Sequence, residues 1–182
     1  MDVQKLQNAL VEGAWHDAEA LLASVTETSD AHPSMLYNHG KVLMELAQMD
    51  QAVSLLRRAV RAAPGHAEAW FELGRAALAL EDFGTAFEGF SNALNLTPGD
   101  TDARRNLGRV AIRLGEYTTA RAVWLPLRGD AEADLALYRV AAETRDPAAA
   151  NKRQALLDKH PNKAAVIKTL VRVSKGSIPL SL

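Results

Sequence analysis

The sequence predicts an all-α fold, a solenoid of antiparallel helix pairs, and three observations carry that reading. Apolar residues recur at helical spacing, and no segment sustains the period-two alternation of a half-buried strand. The turns Pro64-Gly65 and Pro98-Gly99-Asp100 interrupt the helical pattern where one helix must stop and the next begin. The interval between them, 98 − 64 = 34 residues, also relates a series of other positions.

With residues 33–66, 67–100 and 101–134 in register, Gly40, Gly74 and Gly108 coincide at repeat position 8. Leu46, Leu80 and Leu114 share position 14, Ala52, Ala86 and Ala120 position 20, and Leu56, Phe90 and Trp124 position 24. Ala59 and Ala93 share position 27, and Pro64 and Pro98 position 32. One helix pair alone leaves an apolar face in water, whereas stacking like pairs buries it through nearest-neighbour contacts. Small residues at positions 8 and 20 let the two helices of a pair approach. A leucine at Gly74 is therefore expected to cost ~1–3 kcal/mol by overpacking. Trp70, Phe90 and Trp124 are expected to fill the space between pairs, and truncating a buried Trp70 would cost ~3–5 kcal/mol.

This pattern resembles the tetratricopeptide repeat, W-x2-L-G-x2-Y, then A-x3-F, then P. The middle copy carries Trp70, Leu73, Gly74, Ala86, Phe90, Ala93 and Pro98, and departs at Ala77, where the family prefers a large residue. The first copy has His39 where leucine is usual. The third has Arg104 in place of tryptophan, and Pro126 ends its second helix early. The resemblance is firm over residues 33–125. It implies a right-handed superhelix whose first helices line a concave surface, and a role in protein binding.

Weaker copies flank these three. GAWHDAEALLASV, 13–25, places Ala18 at position 20 and Leu22 at position 24, preceded by a first helix at 2–12. Residues 130–161 read as a degenerate fifth pair, with Pro147 suited to the first turn of its second helix. A last helix carries Val166, Ile167, Leu170, Val171 and Val173 on one side and Lys163, Lys168, Arg172 and Lys175 on the other, which suits a cap. The expectation is eleven helices in one domain, 1–175, with units near 1–32, 33–66, 67–100, 101–129, 130–161 and a cap at 162–175. Residues 176–182 form a tail. Its Ile178-Pro179-Leu180-Ser181-Leu182 either docks in a neighbour's groove or frays.

On a helical wheel at ~100° per residue, Trp70, Leu73, Gly74, Ala77 and Leu80 share one side. Phe71, Glu72, Arg75 and Leu78 share the other. By the resemblance, that second side faces the groove. Position 5 then reads Tyr37, Phe71, Arg105, and position 9 reads Lys41, Arg75, Arg109. Position 12 reads Met44, Leu78, Ile112, position 6 reads Asn38, Glu72, Asn106, and position 13 ends on Arg113. A basic ladder beside apolar side chains suits an extended or helical partner segment carrying acids, because arginine pairs carboxylates bidentately. The competing reading is a solvated face in which Glu72, Asp102 and Glu45 neutralise these bases. Some family members clamp a chaperone's terminal carboxylate. Here Asn38 matches that pattern but Val3, Gln7, Glu68 and Glu72 do not, so this partner is not expected.

Composition excludes other classes. Net charge is −1 and there is no cysteine, so no strong global field, disulfide or thiolate site exists. The five histidines, His16, His32, His39, His66 and His160, lack metal-ligand spacing. His39, at a core position, is read as a hydrogen-bonded interior histidine. No phosphate loop or nucleophile elbow occurs, so no enzymatic activity, cofactor or metal is expected. The start, MDVQKLQNALVEG, lacks a leader pattern and no run is long enough to span a membrane. The expected compartment is the cytoplasm, with the periplasm open if a leader was removed. Residues 1–50 hold eight acids and two bases, and residues 152–175 hold seven bases and one acid. This polarity does not extend to nucleic-acid binding, because the basic stretch lacks interleaved aromatics. It does allow an alternative to the peptide groove, a homo-oligomeric scaffold joined head to tail.

Overall fold

The structure, a computed structural model, describes residues 2–174. It is all-helical: α1 Val3–Glu12, α2 Trp15–Thr26, α3 Pro33–Glu45, α4 Met49–Ala62, α5 Ala67–Ala79 and α6 Phe83–Leu96. Then come α7 Thr101–Leu114, α8 Tyr117–Trp124, α9 Ala131–Glu143, α10 Ala149–Lys159 and α11 Lys163–Val173. A single 3-10 turn, Leu125–Leu127, follows α8, and Pro126 sits inside it, where the sequence had placed the early stop. The eleven expected helices are all present, with no strand among the described residues.

The helices form two compact units, residues 1–103 and 104–182. In the first, Leu6, Ala9, Ala18, Leu22 and Val42 make one apolar cluster. Leu36, Leu43, Leu56, Val60 and Leu73 belong to another. In the second unit Tyr138, Leu156 and Val166 form a smaller cluster, with Leu170 and Val173 packed against it.

The repeat glycines have a specific job. A Cβ on Gly40 would stand 2.6 Å from Leu56 Cγ, and one on Gly74 would stand 2.8 Å from Phe90 Cδ1. A Cβ on Gly108 would run into Trp124. So position 8 is empty because position 24 of the same pair fills it. Phe90 and Trp124 therefore pack against the glycine of their own pair. Between α5 and α6 the backbones themselves approach: a Cβ on Gly89 would lie 2.6 Å from Gly74 N and 2.8 Å from Trp70 O.

The turn inside each pair also repeats. Gly13, Ala47, Glu81 and Gly115 all have positive φ, and each lies 34 residues after the one before (47 − 13 = 81 − 47 = 115 − 81). A left-handed residue there closes the first helix with a bond from the next N–H to a carbonyl five residues back. Ala14, Gln48, Asp82 and Glu116 donate to Ala9, Leu43, Ala77 and Ala111 at 2.8–2.9 Å. Entry to α3, α5 and α7 is capped in register too. His32 Nδ1 accepts from Ser34 N–H, His66 Nδ1 from Ala69 N–H, and Asp100 from Asp102 and Ala103 N–H.

Several expectations are corrected. Trp70 is half-buried rather than central to the seam: its ring rests on the α3–α5 cluster and its indole N–H donates to Pro64 O at 2.9 Å. Leu80 and Leu114 are exposed because they end their helices, beyond the last packed turn. Pro147 precedes α10 rather than entering it. Asp146 accepts the N–H groups of Ala148 and Ala149 in a turn, which delays the helix start. On α11, Val166 is buried, but Ile167 and Val171 stand 54% and 42% exposed, so the cap leaves an apolar ridge in water. Lys175 and the tail 176–182 lie outside the described residues.

Candidate binding surface

In the first unit the residues named for the groove lie on α3 and α5, which are in contact. Tyr37 is half-buried, its ring tilted against His66 with centroids 4.7 Å apart, and the exposed Lys41 ammonium stands 5.4 Å from that ring. Asn38, Met44, Phe71 and Leu78 are half-buried. Phe71 meets the buried Phe90 edge-on, centroids 5.6 Å apart, so one side of its ring belongs to the core. Arg75, half-exposed, donates through Nη1 to Glu72 Oε2 at 2.8 Å, and Glu72 itself is buried. A buried carboxylate needs a partner, and Arg75 supplies the charge.

In the second unit α7 carries the rest. Arg105 Nη2 donates to Asp130 Oδ2 at 2.9 Å. Arg109 holds Glu132 in a two-pronged pair, 2.6 Å from Nε and 2.8 Å from Nη2, and also reaches Asn106 at 3.1 Å. Arg113 is exposed. Ile112 is 7% exposed, so it is a core residue and not a groove contact. Val110, Ala111 and Ile112 are buried in succession, covering ~200° of the helix, so α7 is packed on more than one side.

The basic ladder is thus partly compensated within the chain. Glu72 was the foreseen partner of Arg75, whereas Arg105 and Arg109 use Asp130 and Glu132. Asp130 also caps α9, accepting the N–H groups of Glu132 and Ala133. That capping role was the only sequence signal for Asp130, and Glu132 had none. Arg139 of α9 was also missed. It is half-buried, burial and the charge of Arg172 hold its guanidinium below the ordinary value, and Glu143 opposes them. Among the described residues no three His, Cys, Asp or Glu side chains gather as a metal site. No described helix is long and apolar enough to cross a membrane.

A family model of the tetratricopeptide repeat matches residues 37–101. The chain carries a tetratricopeptide-repeat domain. No curated protein matches the sequence. Among solved structures, MamA resembles this tetratricopeptide-repeat chain with a TM-score of 0.69 at 18% identity, over 96% of this chain and 98% of that one. YrrB, described as a TPR protein with an unusual peptide-binding site, resembles it with a TM-score of 0.61 at 18% identity. That match covers 78% of this chain and 75% of YrrB. At such identities the likeness shows the fold alone. The tetratricopeptide repeat is a protein-interaction fold, and this chain is a protein-interaction module of that type.

Proposed function

We propose that the chain holds an extended or helical segment of a partner protein against the exposed faces of its first helices. The observation that carries this is on α3 and α5. Tyr37, Met44, Phe71 and Leu78 keep part of their apolar surface in water, directly beside the cations Lys41 and Arg75. Apolar surface held at a fixed spacing next to charge suits an amphipathic acidic segment, anchored by its aliphatic side chains and oriented by its carboxylates. The second unit, taken by itself, carries Arg105, Asn106, Arg109 and Arg113 on α7. Arg109 would exchange its two-pronged pair with Glu132 for a partner's carboxylate. The peptide-binding description of YrrB is consistent with this use of the fold.

The test compares affinity capture by the wild type with capture by a Lys41→Glu, Arg75→Gln variant. Glutamate is avoided at 75 because it would face the buried Glu72. The variant should keep its helicity by circular dichroism and lose the captured partners. An unchanged set of partners would sink the α3–α5 surface.

A second reading is self-assembly. Residues 1–50 hold eight acids and two bases, and α1 within them exposes Val3 and Val11, while the base-rich α11 exposes Ile167 and Val171. Each end segment therefore has exposed apolar surface, and the two segments carry net charge of opposite sign, which suits contact between copies.

A further inference from the structure

The second unit holds a separate concavity. The loop at 128–129, α9 and α10 enclose a cleft of 570 Å³. Its floor is apolar: Leu137 and Leu156 line it and are each 5% exposed. Its rim is cationic, with Arg128 and Lys159 exposed and Lys152 half-buried. Against these three bases stands one lining carboxylate, Asp134, which already accepts the Gly129 N–H at 3.1 Å. His160, 6% exposed, braces the cleft. Its Nε2–H donates to Ala131 O at 3.0 Å and its Nδ1 accepts from Asn162 N–H at 3.0 Å. The imidazole thus ties the end of α10 to the start of α9, and both ring nitrogens are engaged.

We propose that this cleft is a second binding site, and that its occupant is a short acidic segment of another protein with large apolar side chains at its centre. The cleft's own charge selects the occupant: three cations to one carboxylate repel a basic segment and attract an acidic one. The floor selects the anchor, because a buried leucine or phenylalanine gains from apolar walls while a free phosphate or carboxylate gains nothing from them. Aromatic side chains that could stack on bases do not line it, which argues against single-stranded nucleic acid. The site lies wholly in the second unit and is independent of the α3–α5 surface.

The experiment uses the full chain and a fluorescein-labelled peptide, Glu-Glu-Leu-Phe-Glu-Glu, read by fluorescence polarisation. Two variants disable the cleft by different routes. Lys152→Glu with Lys159→Glu reverses the rim. Ala155→Trp fills the space from an exposed position, so the fold has no reason to fail. Each should weaken binding about tenfold or more, with unchanged circular dichroism. A control peptide with Gly-Ser in place of Leu-Phe should bind about tenfold more weakly to the wild type. Because the α3–α5 surface suits the same chemistry, the cleft variants are also read in the Lys41→Glu, Arg75→Gln background, which should retain probe binding that the cleft substitutions then remove. No binding by the wild type would overturn the proposal, and so would equal affinity for the two peptides. Loss of all probe binding in the Lys41→Glu, Arg75→Gln variant would overturn it as well, while leaving that other surface standing.

Discussion

His39 occupies a repeat position where an apolar residue is usual, and its neighbours determine how the ring is tolerated. The Thr26 hydroxyl donates to Leu22 O at 2.9 Å, so its oxygen accepts the Nδ1–H of His39 at 2.6 Å. Nε2 is left as a buried lone pair, 3.9 Å from a Glu19 carboxylate oxygen. Burial pushes the pKa of His39 down, and Glu19 pulls it part of the way back. Glu27 and Arg58 line the same surface, and Arg58 donates to Thr26 O at 2.7 Å. In the unfolded chain this histidine titrates near ~6.5. Between that value and the lower folded one, the unfolded state binds more protons, so stability rises with pH and falls on acidification. The urea midpoint should therefore drop from about pH 7.5 to about pH 5.5, and drop less in His39→Leu. An equal drop in both proteins would show that His39 does not carry the effect. The interior, hydrogen-bonded character of His39 was legible from its repeat position. The identity of its acceptor was not, because Thr26 lies on the preceding helix at no regular interval.

At the scale of elements, the pairs are specified by complementary volumes. Gly40 with Leu56, Gly74 with Phe90 and Gly108 with Trp124 each match an absent side chain to a large one. A flexible ring or isobutyl group can give way, but a backbone cannot, so Gly89 is the harsher site. Gly89→Ala is expected to cost ~2–3 kcal/mol, at the upper end of overpacking effects, because its Cβ would meet Gly74 N and Trp70 O. Gly99→Ala, with nothing within 4 Å of its Cβ, should stay within ~0.5 kcal/mol. Urea denaturation of both variants checks this, and equal losses would contradict the backbone-contact argument. The 34-residue register revealed Gly40, Gly74 and Gly108 directly, but not Gly89, whose counterparts are Leu55 and Val123. It did not reveal the left-handed turn at Ala47 and Glu81, because alanine and glutamate carry no sequence mark of positive φ.

At the scale of the whole molecule, the self-assembly reading makes its own prediction. Residues 1–50 hold eight acids and two bases, and the described part of the C-terminal stretch is rich in Lys and Arg. Contacts between such ends weaken as salt shortens the reach of charge. Light scattering should then show mass rising with concentration at low salt and falling back at high salt. A monomer at every concentration would leave partner binding as the sole reading. Helix number, the position of each pair and the glycine register were all determined by the sequence alone. They are encoded along the chain, in apolar spacing and in a repeat that can be counted. The tertiary structure decided the rest. It placed Glu132 on Arg109 across 23 residues, buried Ile112, left Ile167 and Val171 in water, and joined Arg128 to Lys159 around one cleft. Each of these depends on how a helix is rotated against its neighbours. A wheel drawn for one helix fixes which residues share a side, but not what packs against that side.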